Sequence, residues 1–188
     1  MKNTTVDVLL KVGRLKSIKR TGWVRSGMPD PESVAAHTFR VCFLVLVLAD
    51  RLKLNRQKLL EMGLLHDIEE AVTGDPVTQR GMDQIGEHDV EEEGNIVRRI
   101  FLPLENRDEL YKIWEAHLPE NKPGASREAR ILYEIGKIAT AWQALEYELA
   151  GQDPMIMDEW WVNARTYVKE PLLIEILDAL EIKRKQLK

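Results

Sequence analysis

The sequence predicts an all-α fold, a compact bundle of six to eight helices. Two observations carry that prediction. No stretch shows sustained period-two alternation with β-branched enrichment, the mark of a half-buried strand. Glycines and prolines cluster in a few places, and the segments between them carry apolar residues at three- and four-residue spacing.

Thr4 or Asn3 is placed to cap a first helix running to about Lys16, with Val6, Leu9, Leu10 and Val12 on one side. The stretch Arg20 to Pro31 holds two Gly and two Pro in twelve residues and reads as a loop. That loop also carries Arg20, Trp23 and Arg25. Ser33 or Glu32 begins a helix that takes the apolar run Val41–Ala49 to about Leu52. Asn55 is a cap for a third helix, with Leu59, Leu60, Leu64, Leu65 and Ile68 on its core face, ending near Thr73-Gly74-Asp75-Pro76. An acidic helix is expected from about Gly86 to Leu102, then a shorter one from Arg107 to Leu118. Ser126 caps a long helix whose inward positions are Ile131, Leu132, Ile135, Ile138, Ala139, Trp142 and Leu145. Asp153-Pro154 and Pro171 open the last two, since proline is tolerated in a first turn.

A chain of 188 residues fits a single domain, residues 1–188, because domains run roughly 100–200 residues. Its net charge of −4 argues against a nucleic-acid polymer as partner, because gripping phosphates needs a basic excess. Cys42 is the only cysteine, which points to a reducing, cytoplasmic setting. The longest apolar run has nine residues, far short of the ~20 a membrane span needs. The N-terminal residues do not read as a secretory signal.

The chemistry concentrates on few residues. Of four histidines, His37 and His66 sit within apolar helical stretches, and Asp67 follows His66 at once. One such histidine is ordinarily a packed core residue. Two on successive core helices, one beside an aspartate, suit a divalent transition metal, because neutral imidazoles and a carboxylate both offer lone pairs. Glu70 lies four residues after His66, one helical turn on, where a carboxylate can move a proton of a nearby water. Asp75 ends the same segment. The alternative for these acids is a solvated Glu69–Glu70 pair and a turn-forming Asp75. His88 falls in an acidic stretch that reads as solvated surface, and His117 reads as a surface or loop histidine. Trp160 and Trp161 cannot both face one core, so one is expected to be partly exposed or to meet a partner subunit. No Gly-rich phosphate loop and no nucleophile elbow is present.

An ordered set of motifs resembles a known family. Arg20-Thr-Gly-Trp23, Pro31 to His37, His66-Asp67-Ile-Glu-Glu70, Thr73-Gly-Asp75 and Gln143-Ala-Leu-Glu-Tyr-Glu148 resemble the HD-domain metal-dependent phosphohydrolases, most closely the 5'-deoxynucleotidase group. The resemblance implies that His37, His66 and Asp67 bind one divalent metal (manganese, cobalt, zinc, magnesium or iron). It implies that Glu70 acts on the attacking water or leaving oxygen and that Arg20 holds the substrate phosphate. Trp23 would wall the sugar site, and Asp75 would contact the nucleotide or position water. The implied substrate is a nucleoside 5'-monophosphate, and the implied assembly is a homodimer.

The sequence departs from that pattern at one place. The family's fourth metal ligand is an Asp on the long helix, and counting back from Gln143 puts it at Gly136, followed by Lys137. Glycine cannot ligate. Glu134, two positions away, could replace it only with the helix rotated or the register different. Gly136 therefore opens three outcomes: a metal held by three protein ligands, a weakly held metal, or a nucleotide-binding protein without catalysis.

Overall fold

A computed structural model describes residues 4–76, 90–118 and 125–186. Within them, eight helices of at least eight residues form the scaffold: α1 (Thr5–Val12), α3 (Val34–Leu48), α4 (Arg56–Leu65), α6 (Val90–Phe101), α7 (Arg107–Glu115), α8 (Arg127–Leu149), α9 (Pro154–Tyr167) and α10 (Pro171–Lys185). Two shorter pieces, α2 (Thr21–Arg25) and α5 (Glu70–Thr73), lie at the places where chemistry was expected. Among the described residues no helix is long and apolar enough to cross a membrane.

Helix starts follow the capping residues. Thr4 forms a reciprocal capping box with Asp7, and Ser33, Asn55, Ser126 and Asp153 each accept from a first-turn backbone N–H. Helix α8 is the central post: α3, α9 and α10 pack on it, and α4 bridges α3 to α7. Val41, Val45, Leu59, Ile135, Ile138, Met157, Leu173 and Leu177 fill the space between them. A second apolar cluster, with Val34, Ile68, Val97, Ile100 and Trp114, lies under α1, α6 and α7.

Several expectations are corrected. Val6, Leu9 and Leu10 are exposed; α1 docks instead through Val8, with Val12 and Leu15 continuing that stripe into a 3-10 turn, Gly13–Lys16. The loop from Arg20 contains the helical turn α2. Helix α3 stops at Leu48, and the chain leaves it through Lys53, whose φ is 56°. Helix α7 stops at Glu115 rather than Leu118. Trp142 is half-buried, with the Arg40 guanidinium 4.5 Å over its ring. The expected start of the acidic helix at Gly86, with His88, lies outside the described residues.

The most consequential correction concerns the third helix. It is not continuous to Thr73. After Leu65 the backbone changes to i→i−3 hydrogen bonds: Ile68 N to Leu65 O, Glu70 N to Asp67 O, and Ala71 N to Ile68 O. Such tightening of a last turn satisfies carbonyls that would otherwise lack partners. It also means that His66, Asp67 and Glu70 are not presented by one regular helix face.

Candidate metal and substrate site

Two local devices bring the site together. An isolated antiparallel bridge joins Lys19 to Ser33, with Arg20 N donating to Glu32 O at 2.9 Å and Val34 N to Ile18 O at 2.9 Å. It lays the Arg20 segment against the start of α3, one turn before His37. The tightened turn after α4 carries His66 and Asp67 to the same place from the other side.

His37, His66 and Asp67 each offer a ligand atom, and these atoms lie within 4.8 Å of one another. The His37 and His66 ring centroids are 5.6 Å apart. His66 Nδ1 lies 2.8 Å from Gly63 O, so that nitrogen donates to the carbonyl and turns Nε2 toward Asp67 Oδ2 at 3.1 Å. His37 is 3% exposed, and burial, then the charges of Arg20 and His66, hold its pKa well below the usual histidine range. It is therefore neutral at physiological pH, the form that ligates. Its Nδ1 is buried without a hydrogen-bond partner, 3.9 Å from Glu32 Oε2.

Acids surround this cluster. Glu70 is 4% exposed, and its Oε2 has no hydrogen-bond partner. Burial, then the charge of Asp67, pushes its pKa well above the carboxylate range. The solvated-pair alternative is thereby overturned for Glu70, and Glu69 is tied inward by Trp114 Nε1 at 3.0 Å. Asp75 has turned into the site: its Oδ2 accepts from Thr21 N at 2.7 Å, and its Oδ1 lies 3.2 Å from Arg20. Arg20 also reaches Asp67 Oδ2 at 3.5 Å. Burial works against the charge of Arg20, but Asp75, Asp67, Glu70 and Glu32 outweigh it and keep the guanidinium protonated.

Asp67, Glu70 and Asp75 are three carboxyls facing one guanidinium, with the imidazoles of His37 and His66 between them. Orphaned buried atoms on His37, Glu70 and Asp75 lie in this cluster. A buried group left without a partner costs roughly 1–3 kcal/mol. A divalent cation with its water satisfies both the charge and the orphaned atoms, so the donor set fits one.

Trp23 stands behind the ligands. It is 2% exposed, its Nε1 donates to Glu32 Oε2 at 3.3 Å, and its ring meets Trp160 and Tyr147 at 4.4 and 5.1 Å. Gly136 is half-buried, and a Cβ built there meets nothing within 4 Å, so the position is open. Glu134 does not replace the missing ligand. Its Oε2 accepts from Lys169 N and Glu170 N at 2.8 and 2.7 Å and is committed to the start of α10.

Three contributors escaped the sequence reading. Glu32 joins Trp23, Arg40 and the edge of His37. Arg40 binds Glu32, Gln143 and Glu146; a lone charge in an apolar helix was its signal, because buried charges are paired. His117, expected at the surface, is 7% exposed, with its ring 6.5 Å from His66. The motif from Gln143 to Glu148 serves as scaffold: Gln143 and Glu146 hold Arg40, the Tyr147 hydroxyl accepts from Glu32 N, and Glu148 accepts from Trp161 and Arg184.

Comparison with known proteins bears on this geometry. The family described as HD domain matches residues 12–171. A Homo sapiens protein named 5'-deoxynucleotidase HDDC2 is 30% identical over 179 residues, covering 95% of this chain and 85% of the relative. A 5'-deoxynucleotidase of Schizosaccharomyces pombe is 29% identical over 138 residues, covering 73% of this chain and 69% of its own. Among solved structures, a conserved hypothetical protein from Pyrococcus furiosus superposes with a TM-score of 0.74 at 27% identity, covering 94% of this chain and 99% of that one. A predicted metal-dependent phosphohydrolase from Magnetospirillum magnetotacticum gives 0.64 at 19% identity over 97% of this chain and 91% of its own, a likeness of fold.

Proposed function

The chain belongs to the HD-domain family, and on that premise we propose that it is a metal-dependent phosphohydrolase removing the 5' phosphate from nucleoside monophosphates, deoxy forms foremost. The observation that carries the reading is the meeting of His37, His66 and Asp67 beside Arg20, Glu70 and Asp75. The names of the relatives support the substrate class.

His37, His66 and Asp67 hold the divalent ion. When bound, such an ion supplies Lewis acidity toward a phosphoryl oxygen and acidifies water. Arg20 orients the phosphate and offsets charge building on its oxygens, a task that suits a fixed guanidinium fork. Asp75 and the Thr21 backbone hold Arg20 in place. Glu70, buried beside Asp67 with its pKa raised, relays a proton between the attacking water and the leaving 5' oxygen, an effect worth roughly 10²–10⁴ in rate. Trp23, nearly sealed from solvent, shapes the sugar side through Glu32 and Tyr147 rather than by broad contact.

A second copy of the chain covers α3. Phe39, Phe43, Leu46 and Val47 lie at i, i+4, i+7 and i+8 of α3 and are exposed together on its outer face. Sedimentation of the wild type as a dimer and of Phe43→Glu as a monomer supports this; a monomeric wild type refutes it.

Gly136 favours a second reading, a nucleotide-binding protein without turnover. A panel of nucleoside monophosphates assayed with manganese, cobalt, zinc or magnesium separates the two. Phosphate release that disappears in His66→Ala supports the enzyme. Nucleotide binding with no release under any metal supports the alternative.

A further inference from the structure

His117 lies two residues past the end of α7, and His66 directly follows α4. His66 Nδ1 faces the carbonyl three residues back, that of Gly63, and His117 Nδ1 faces that of Trp114, also three residues back. In both, the carbonyl accepts from Nδ1–H and turns Nε2 away from the helix, that of His66 toward Asp67 Oδ2 at 3.1 Å. The two rings meet edge to face, with centroids 6.5 Å apart. The end of α7 is tied to the metal-ligand segment a second time, through Trp114 Nε1 on Glu69 at 3.0 Å. A buried imidazole thus stands beside His66, just outside the trio whose ligand atoms lie within 4.8 Å of one another, on a chain whose long helix has Gly136 with open space around it.

We propose that His117 belongs to the metal-binding set, its Nε2 supplying the donor that Gly136 lacks. The inference rests on the metal-site reading above. Two imidazoles on one ion hold their ring centres roughly 5–6 Å apart, since each nitrogen sits about 2.0–2.1 Å from a metal such as zinc. The 5.6 Å of His37 and His66 falls in that range. The 6.5 Å of His66 and His117 lies within about an ångström of it, so ligation requires the His117 ring to move inward by about that much.

The test uses cobalt(II) alone as probe, titrated into the full chain and followed by visible absorption and chelator competition. His117→Ala and His117→Gln should each weaken cobalt binding by about 10- to 100-fold and change the visible bands. Adding Gly136→Asp to either should recover most of that loss. X-ray absorption of the cobalt-loaded wild type should count three imidazoles, a readout that needs no variant. Unchanged affinity and bands in both His117 variants, or two imidazoles in the wild type, overturns the proposal. His66→Ala serves as the separate check: if it too binds cobalt normally, the metal-site reading itself falls.

Discussion

Arg20 lies 3.2 Å from Asp75 Oδ1, yet that oxygen receives no aligned hydrogen bond. The contact is a charge pair, and the guanidinium keeps N–H groups free for another acceptor. Thr21, next in sequence, donates its backbone N–H to the other oxygen of Asp75 at 2.7 Å. The carboxylate is thereby fixed independently of the arginine it steers. Asp75→Asn retains the Thr21 bond and removes the charge. It should lower kcat/KM by roughly 10- to 100-fold, as small misplacements do. Arg20→Lys loses the planar fork and should cost about 10²–10³ in kcat, near the loss of one preorganised charge donor. Steady-state kinetics on deoxynucleoside monophosphates measures both. Wild-type kinetics in either variant would remove this pair from the phosphate site.

The Gly136 position separates helix energetics from ligation. A Cβ there meets nothing within 4 Å. Gly136→Ala should therefore raise stability by about 0.8–1 kcal/mol, the helix-propensity difference, without altering metal content. Gly136→Asp should raise metal affinity, read as tighter cobalt binding. Equal metal affinity for the two variants would place the position away from the ion.

The helices were legible because caps and breakers are local. Ser33, Asn55, Ser126 and Asp153 act on backbone groups within one turn, and that chemistry is written in a few adjacent residues. The meeting of His37, His66 and Asp67 was legible for a similar reason: imidazole and carboxylate side chains in apolar helices call for a partner. Docking was not legible. Leu9 and Leu10 look like core residues until Val8 and Leu15 take the contact. His117 was misread because its burial comes from α4 and the turn after it, some fifty residues earlier in the chain. Glu32 escaped because its partners, Trp23, Arg40 and His37, converge only through the Lys19–Ser33 bridge.

Gly22 sits where Trp160 presses on α2. A Cβ there would fall against Cη2 of that indole, closer than any real contact. The indole itself is held 4.4 Å from the Trp23 ring. Gly22→Ala should therefore destabilise the protein by about 1–3 kcal/mol, the usual cost of overpacking, measured by chemical denaturation. In a Trp160→Leu background the same Gly22→Ala change should lose most of its cost, because the atoms it strikes are gone. A Gly22→Ala protein as stable as wild type would mean the indole moves aside freely.

Glu69 gives the stability of the metal-free protein a particular pH dependence. Burial, then the charge of Asp67, raises its pKa to about 8 from a usual 4.5. The folded state therefore binds a proton that the unfolded chain has released between those values. Its contribution is fully present below pH 4.5 and is lost as pH rises through 8. Glu69→Gln keeps an acceptor for Trp114 Nε1 and carries no charge to desolvate. The variant should melt at a higher temperature than wild type at about pH 8.5 and show a far smaller advantage at about pH 4.5. A bound cation offsets the charge of Asp67, so saturating metal should narrow the gap on the alkaline side. Thermal melts across pH, with chelator and with cobalt, read both effects. A gap that does not grow with pH would mean that Glu69 is ionised in the folded protein and that Trp114 alone holds it.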